Sequence, residues 1–128
     1  MTMRFDGLQD AVNVDPEFRI AARFWNATVR LDMGGDALLL CIEKGQIAEV
    51  VTGAQVFTFL TPVNIIIRAP VVEWQKFLEP IPQPFYVDLW GATAHHDFQV
   101  SGDMESMYAY YPAIRRLFDI MRAVTHRV

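Results

Sequence analysis

Residues 28–51 read TVRLDM GGD ALLLCI EKG QIAEVV, and their pattern decides the fold. Val29, Leu31 and Met33 alternate with Thr28, Arg30 and Asp32, the period of a strand with one buried face. Gly34-Gly35-Asp36 supplies a hairpin turn. Ala37 to Ile42 is apolar throughout, as a strand buried on both faces should be. Lys44-Gly45 is a second turn, and residues 46–51 are a third strand. Strands 28–33, 37–42 and 46–51 therefore form an antiparallel meander.

Working outward, residues 1–14 show no strong period. Asp15-Pro16-Glu17 is a helix start: a capping carboxylate, a proline at the first helical position and an acid in the first turn. Phe18, Ala21, Ala22 and Trp25 form one face of that helix, opposite Arg19 and Arg23. Downstream, Val56 to Leu60 reads as a strand or as a loop lying on apolar surface. Val63 to Arg68 is a further strand. Pro70 opens a helix with Val71, Trp74, Phe77 and Leu78 on one face, and Pro80, Pro82 and Pro84 stop it. Phe85 to Ala94 is expected to be helical, with Phe85, Leu89 and Trp90 aligned. Phe98 to Gly102 is the last strand, and Met104 to Arg122 a long helix kinked by Pro112. The architecture is α+β, a largely antiparallel sheet covered on one face by helices, with residues 1–128 as one domain.

A net charge of −4 argues against nucleic acid as partner. Cys41 is the single cysteine and lies in an apolar run, so an inert thiol is expected. The start has no signal-peptide apolar core. Val50 to Ile67 is uncharged, yet Gly53, Pro62, Gln55 and Asn64 speak against a membrane helix. No integral membrane segment is expected, and the cytoplasm is the default compartment.

Catalytic motifs are sparse. His95-His96-Asp97 lacks further ligands at metal spacing, so no metal site and no cofactor are expected; His126 lies near the chain end. An alternative keeps His95 or His96 as the base of a small hydrolase or isomerase, oriented by Asp97 or Asp88. No nucleophile motif surrounds Ser101 or Ser106, and Gly34, Gly35 and Gly45 belong to turns rather than to a phosphate cradle. The remaining signal is soft and aromatic. Met104, Met107, Tyr108, Tyr111, Ile114, Phe118 and Met121 recur at helical spacing. Phe18, Trp25 and Phe118 are expected in the core. Met104, Met107, Tyr108 and Tyr111 suit a pocket mouth, where tyrosine hydroxyls find partners.

Three stretches carry a resemblance: Leu38 to Gly45, a strand ending Glu-Lys-Gly; Ile65 to Trp74, a strand into a helix; and Val100-Ser101-Gly102-Asp103, a strand into the last helix. Their order resembles the sterol carrier protein type 2 family over about residues 17–123. Pro80–Pro84, the Trp90 segment and Pro112 are closer to a bacterial branch than to the animal carrier. So is the ending His126-Arg127-Val128, which lacks a peroxisomal signal. The resemblance implies a five-stranded sheet with a hydrophobic tunnel between sheet and helices, holding fatty acid, acyl-CoA, sterol or another lipid without catalysis. The ligand-binding places it implies are Trp74 and Phe77, then Phe85, Leu89 and Trp90, then Met104, Met107, Tyr108 and Tyr111. A tyrosine hydroxyl or a rim arginine, such as Arg68 or Arg115, is expected to orient a carboxylate. Val56 to Leu60 is also a candidate apolar edge for pairing with a second copy as a homodimer or with a larger enzyme.

Overall fold

The structure, a computed structural model, describes residues 4–53, 55–58 and 62–126. Its strands are β1 (Ala27–Met33), β2 (Asp36–Glu43), β3 (Gln46–Thr52), β4 (Ile65–Ala69) and β5 (Gln99–Gly102). They form one five-stranded sheet in the order β3-β2-β1-β4-β5. The meander is present as expected. The sheet is mixed, however: β4 pairs with β1 in parallel, and the other pairs are antiparallel. A parallel neighbour demands a crossover. The chain between β3 and β4 makes it, and Val56 packs there on one face of the sheet against Ala37, Leu39 and Val51. The described part of Val56 to Leu60 is therefore not a strand. A single turn, α3 (Gln55–Thr58), buries Val56 and exposes Phe57, while Phe59 and Leu60 lie outside the described residues.

Alternation along β1 and β2 assigns the two faces. Val29, Leu31 and Met33 join Leu38, Leu40 and Ile42 in the main core, whereas Ala37 and Leu39 belong to the cluster under Val56. That is why residues 37–42 carry no polar alternation. The main core is closed by helices α1 (Leu8–Asn13), α2 (Pro16–Ala21), α4 (Val71–Phe77), α5 (Leu89–His95), α6 (Met104–Ala109) and α7 (Tyr111–Thr125).

Helix α1 falls where no period was visible, because it is only six residues long with two buried anchors, Leu8 and Val12. Its polar side chains shield the β3 edge. Asn13 accepts from the Ile47 amide at 2.8 Å and donates to the Ile47 carbonyl at 2.9 Å; Gln9 donates to the carbonyls of Ile47 and Ala48. An edge so occupied offers fewer free groups to another strand.

Two helix expectations need correction. The segment 85–94 is helical only from Leu89, where Asp88 caps the Gly91 amide at 2.7 Å. Phe85 sits before it at φ 67, a backbone no helix contains. Residues 104–122 are two helices meeting at Tyr110, not one kinked helix. Pro112 falls in the first turn of α7, where its missing N–H costs no hydrogen bond.

Asp15 caps α2 through the Phe18 amide at 2.8 Å and also receives both guanidinium N–H groups of Arg116 on α7, at 2.8 and 2.9 Å. One carboxylate thus starts a helix and ties it to another. The Arg116 hydrogen bonds hold its pKa below the ordinary 3.8; burial opposes them, and the Phe18 amide adds to the lowering. A depressed folded-state pKa contributes stability above the unfolded value, and this is lost as pH falls through the folded one. Wild type should therefore lose this increment below pH 3.8, while Asp15→Ala should lose about 1–2 kcal/mol at neutral pH, from the cap alone. Urea unfolding of both proteins across that range reads the difference; equal stability at neutral pH would refute the cap assignment.

Asn64 is a second junction. Its side-chain oxygen accepts from the Thr28 amide at 2.7 Å, its amide donates to the Thr28 carbonyl, and its carbonyl accepts from Asp103 at 2.8 Å. Gly102 crosses directly over it at φ 111, so an added Cβ would fall on the Asn64 carbonyl oxygen. Gly102→Ala should therefore destabilise by more than about 1 kcal/mol, since neither strain nor clash has a rotamer to relieve it. Chemical denaturation followed by circular dichroism checks this.

Candidate functional site

Helix α4 places Trp74 and Phe77 at the centre of the helix layer. Trp74 meets Phe98 at 5.0 Å and Phe118 at 5.9 Å between ring centroids, and Phe77 meets the same two rings at 5.0 and 5.1 Å. Both residues are fully buried, and the Trp74 indole donates to the Asp32 carbonyl of β1 at 2.8 Å. Leu89 and Met107 are likewise buried in the main core.

The other expected ligand-binding residues gather further along the helices. Trp90 stacks on Tyr108 at 5.4 Å and on Tyr111 at 5.3 Å, and Met104 packs half-buried against the core. Tyr108 is largely exposed. The Tyr111 hydroxyl is buried; burial and then the Asp88 charge push its pKa up, against the backbone of Trp90 and Leu89. Phe85 stacks on His95 at 3.7 Å, apart from this group.

His95 and His96 have packing roles. His96 lies on Tyr86 at 3.6 Å, so the pair of imidazoles holds down residues 85–86. Arg122 reinforces that segment from beneath: it is buried, and it donates to the carbonyls of Phe77, Tyr86 and Val87 and to Asp119. Burial lowers its pKa and Asp119 counters. The Tyr86 hydroxyl donates to Glu73 at 2.8 Å, and burial, then that bond, push it up to about 12. Burial likewise pushes the Cys41 thiol up, so it is not an activated nucleophile. Among the described residues no group of three or more His, Cys, Asp or Glu side chains is arranged to hold a metal ion. No helix among them is long and apolar enough to cross a membrane.

Open space lies along one end of the sheet. The strand register brings Met33, Asp36, Leu38, Thr52, Ala69 and Gln99 to that end. A cleft of about 560 Å³ spans β1 to β3 there, walled by Phe5, Met33, Leu38, Val50 and Val71, with Arg4 and Asp6 at its border. Arg4 and Asp6 pair at 2.9 Å and are well solvated. Beside it, a cleft of about 540 Å³ spans β1, β4 and β5, lined by Asp32, Arg68, Pro70, Asp97 and Gln99. A third, of about 510 Å³, lies at the opposite end near Cys41, Glu49 and Asn64.

None of the aromatic and methionine residues expected to line a cavity borders these clefts. The apolar cleft instead uses strand-end residues of the meander, the first residue of α4, and Phe5. The strand pattern placed Met33 and Leu38 on apolar faces, but only the register brings them to an open end. Phe5 carried no signal in an aperiodic segment.

No family model matches the sequence, and no curated protein matches it. Solved structures do. A crystal structure of sterol carrier protein 2 superposes with a TM-score of 0.76 at 18% identity, covering 96% of this chain and 97% of the other. A solution structure of a conserved hypothetical protein from Thermus thermophilus, described as possibly a sterol carrier protein, gives 0.70 at 19% identity, with 93% and 84% covered. UbiJ-SCP2, a ubiquinone synthesis protein, gives 0.57 at 15% identity, with 93% and 88% covered. At these identities the likeness is one of fold, and it spans at least 84% of each chain. The chain is a sterol carrier protein 2-like domain in fold.

Proposed function

We propose that this protein binds a lipid or other apolar small molecule and carries it without catalysis. The observation that supports this best is the apolar cleft of Phe5, Met33, Leu38, Val50 and Val71, open at the margin of the helix–sheet core. Burying a ligand's apolar surface there contributes about 25 cal/mol per Å² before ordering costs. The fold likeness to sterol carrier protein 2 points the same way. Trp74, one turn along α4 from Val71, is the first of the sequence-derived cavity residues that a deeper ligand would meet. In this reading Trp90, Tyr108 and Tyr111 close the helix layer instead. The histidines take no chemical part in this reading, since both are stacked on neighbouring rings and neither lines the three clefts described.

Native mass spectrometry of the purified protein should show a bound apolar molecule, and a fluorescent fatty acid should be displaced by unlabelled competitor. Val71→Asp places a charge in the cleft wall at a position 40% exposed, in the first turn of a helix where acids are favoured. It should leave thermal stability nearly unchanged and weaken binding at least about tenfold, the effect of an unpaired charge against apolar ligand. No bound molecule and no displacement at micromolar protein would overturn the function. Full binding by Val71→Asp would overturn the location.

A further inference from the structure

The polar cleft is adjacent to the apolar one, and a single turn separates them. Met33, Gly35 and Val71 line the apolar side; Asp32, Gly34 and Pro70 line the polar side. That turn carries no side chains at Gly34 and Gly35. A Cβ at Gly35 would meet nothing within 4 Å, and one at Gly34 would only touch Val71. Neither glycine therefore sets a side chain between the two clefts.

A molecule crossing from the apolar cleft would meet a cluster of charges with one cation left loosely held. Arg30 is half-buried and locked to Asp32 through both Nε, at 2.8 Å, and Nη2, at 3.1 Å. Arg68, in register with Asp32, approaches the same carboxylate only to 3.9 Å and is 50% exposed. Asp32 is thus engaged by Arg30, and the Arg68 guanidinium faces the cleft with most of its donors available. Gln99, its register partner on β5, adds an amide beside it. Asp97, an exposed acid, lines the same cleft. A guanidinium and a carboxylate lining one cleft favour a head of a single negative charge over one of two.

We propose that Arg68 selects the headgroup of the bound amphiphile: the tail lies in the apolar cleft, and a single carboxylate crosses the Gly34-Gly35 turn to pair with Arg68. This rests on the apolar-cleft reading above. Asp97 sets the limit on charge and disfavours a phosphate dianion.

The test is competition by decanoate, decanol and decyl phosphate against a bound fluorescent probe. On wild type, decanoate should compete about tenfold better than decanol, as a charge-assisted hydrogen bond implies. Decyl phosphate should be weaker than decanoate. Arg68→Gln should erase the advantage of decanoate while leaving decanol unchanged, and Arg68→Lys should keep part of it. Asp97→Asn should improve decyl phosphate several-fold. If Arg68→Gln leaves the decanoate-to-decanol ratio intact, or weakens both equally, Arg68 does not read the head and the inference falls while apolar binding stands. If none of the three competes on wild type, the binding function fails, and this inference with it.

Discussion

The parallel pairing of β4 with β1 is the constraint from which the rest of the molecule follows. An antiparallel meander alone would end after β3 with one open edge on each side. Adding β4 alongside β1 in the same direction forces the chain to cross the sheet, and this crossing covers the face carrying Ala37, Leu39 and Val51. It also sends β1 and β4 out at the same end. From there α4 turns back beneath the opposite face, and the indole of Trp74 ties it to the last residues of β1 through the Asp32 carbonyl. The two clefts are consequences of this geometry, because strand ends, a side-chain-free turn and the first residue of a helix converge at one margin. Asn64 fixes the pairing at the other end by bonding Thr28 on β1 and Asp103 beyond β5.

The helix layer is closed by different means. Trp74, Phe77, Phe98 and Phe118 meet largely edge-to-face or tilted, arrangements in which ring quadrupoles attract. Around them the chain between α4 and α5 has little regular structure of its own and must be held from below. Arg122 does this by donating to three backbone carbonyls, with its guanidinium 5.0 Å from the Phe77 ring. A buried cation is costly unless its donors are satisfied, and here Asp119 and those carbonyls satisfy them. The clefts that open at the sheet margin lie outside this bonded layer.

How far the sequence could be read follows from which signals are local. Period two over 28–33, uniform apolarity over 37–42 and the glycine turns are local, and they gave the meander. The Gly102-Asp103 entry was equally visible, because its glycine is required by one close backbone approach. The direction of β4 was not legible, since strand periodicity carries no sense of neighbour or polarity. Pro112 was misplaced for a related reason: a proline inside a helical apolar pattern reads as a kink, while a first turn accepts it equally well. The aromatic and methionine stripe had the right periodicity for helix packing, and α6 and α7 use it so. Whether a stripe faces a cavity depends on what the facing elements contribute, and that is a property of register and crossing.

The same distinction bears on what the fold can do. A pocket among the expected binding residues of the helix layer would need Trp74, Phe77 and Met107 to separate, and each is buried at no more than 1% exposure. Opening it would forfeit the dispersion contacts of several aromatic rings before a ligand replaced them. The strand-end cleft demands no such exchange. Its walls, Met33, Leu38 and Val50, belong to strands held by their ladders, and Val71 sits on the first turn of a helix whose anchor is one turn further in. Such a wall is preorganised, and Phe5 packs against the core beside it. Under the proposed binding function, a ready-made wall at the margin of the sheet is therefore a less costly place for an apolar molecule than its centre.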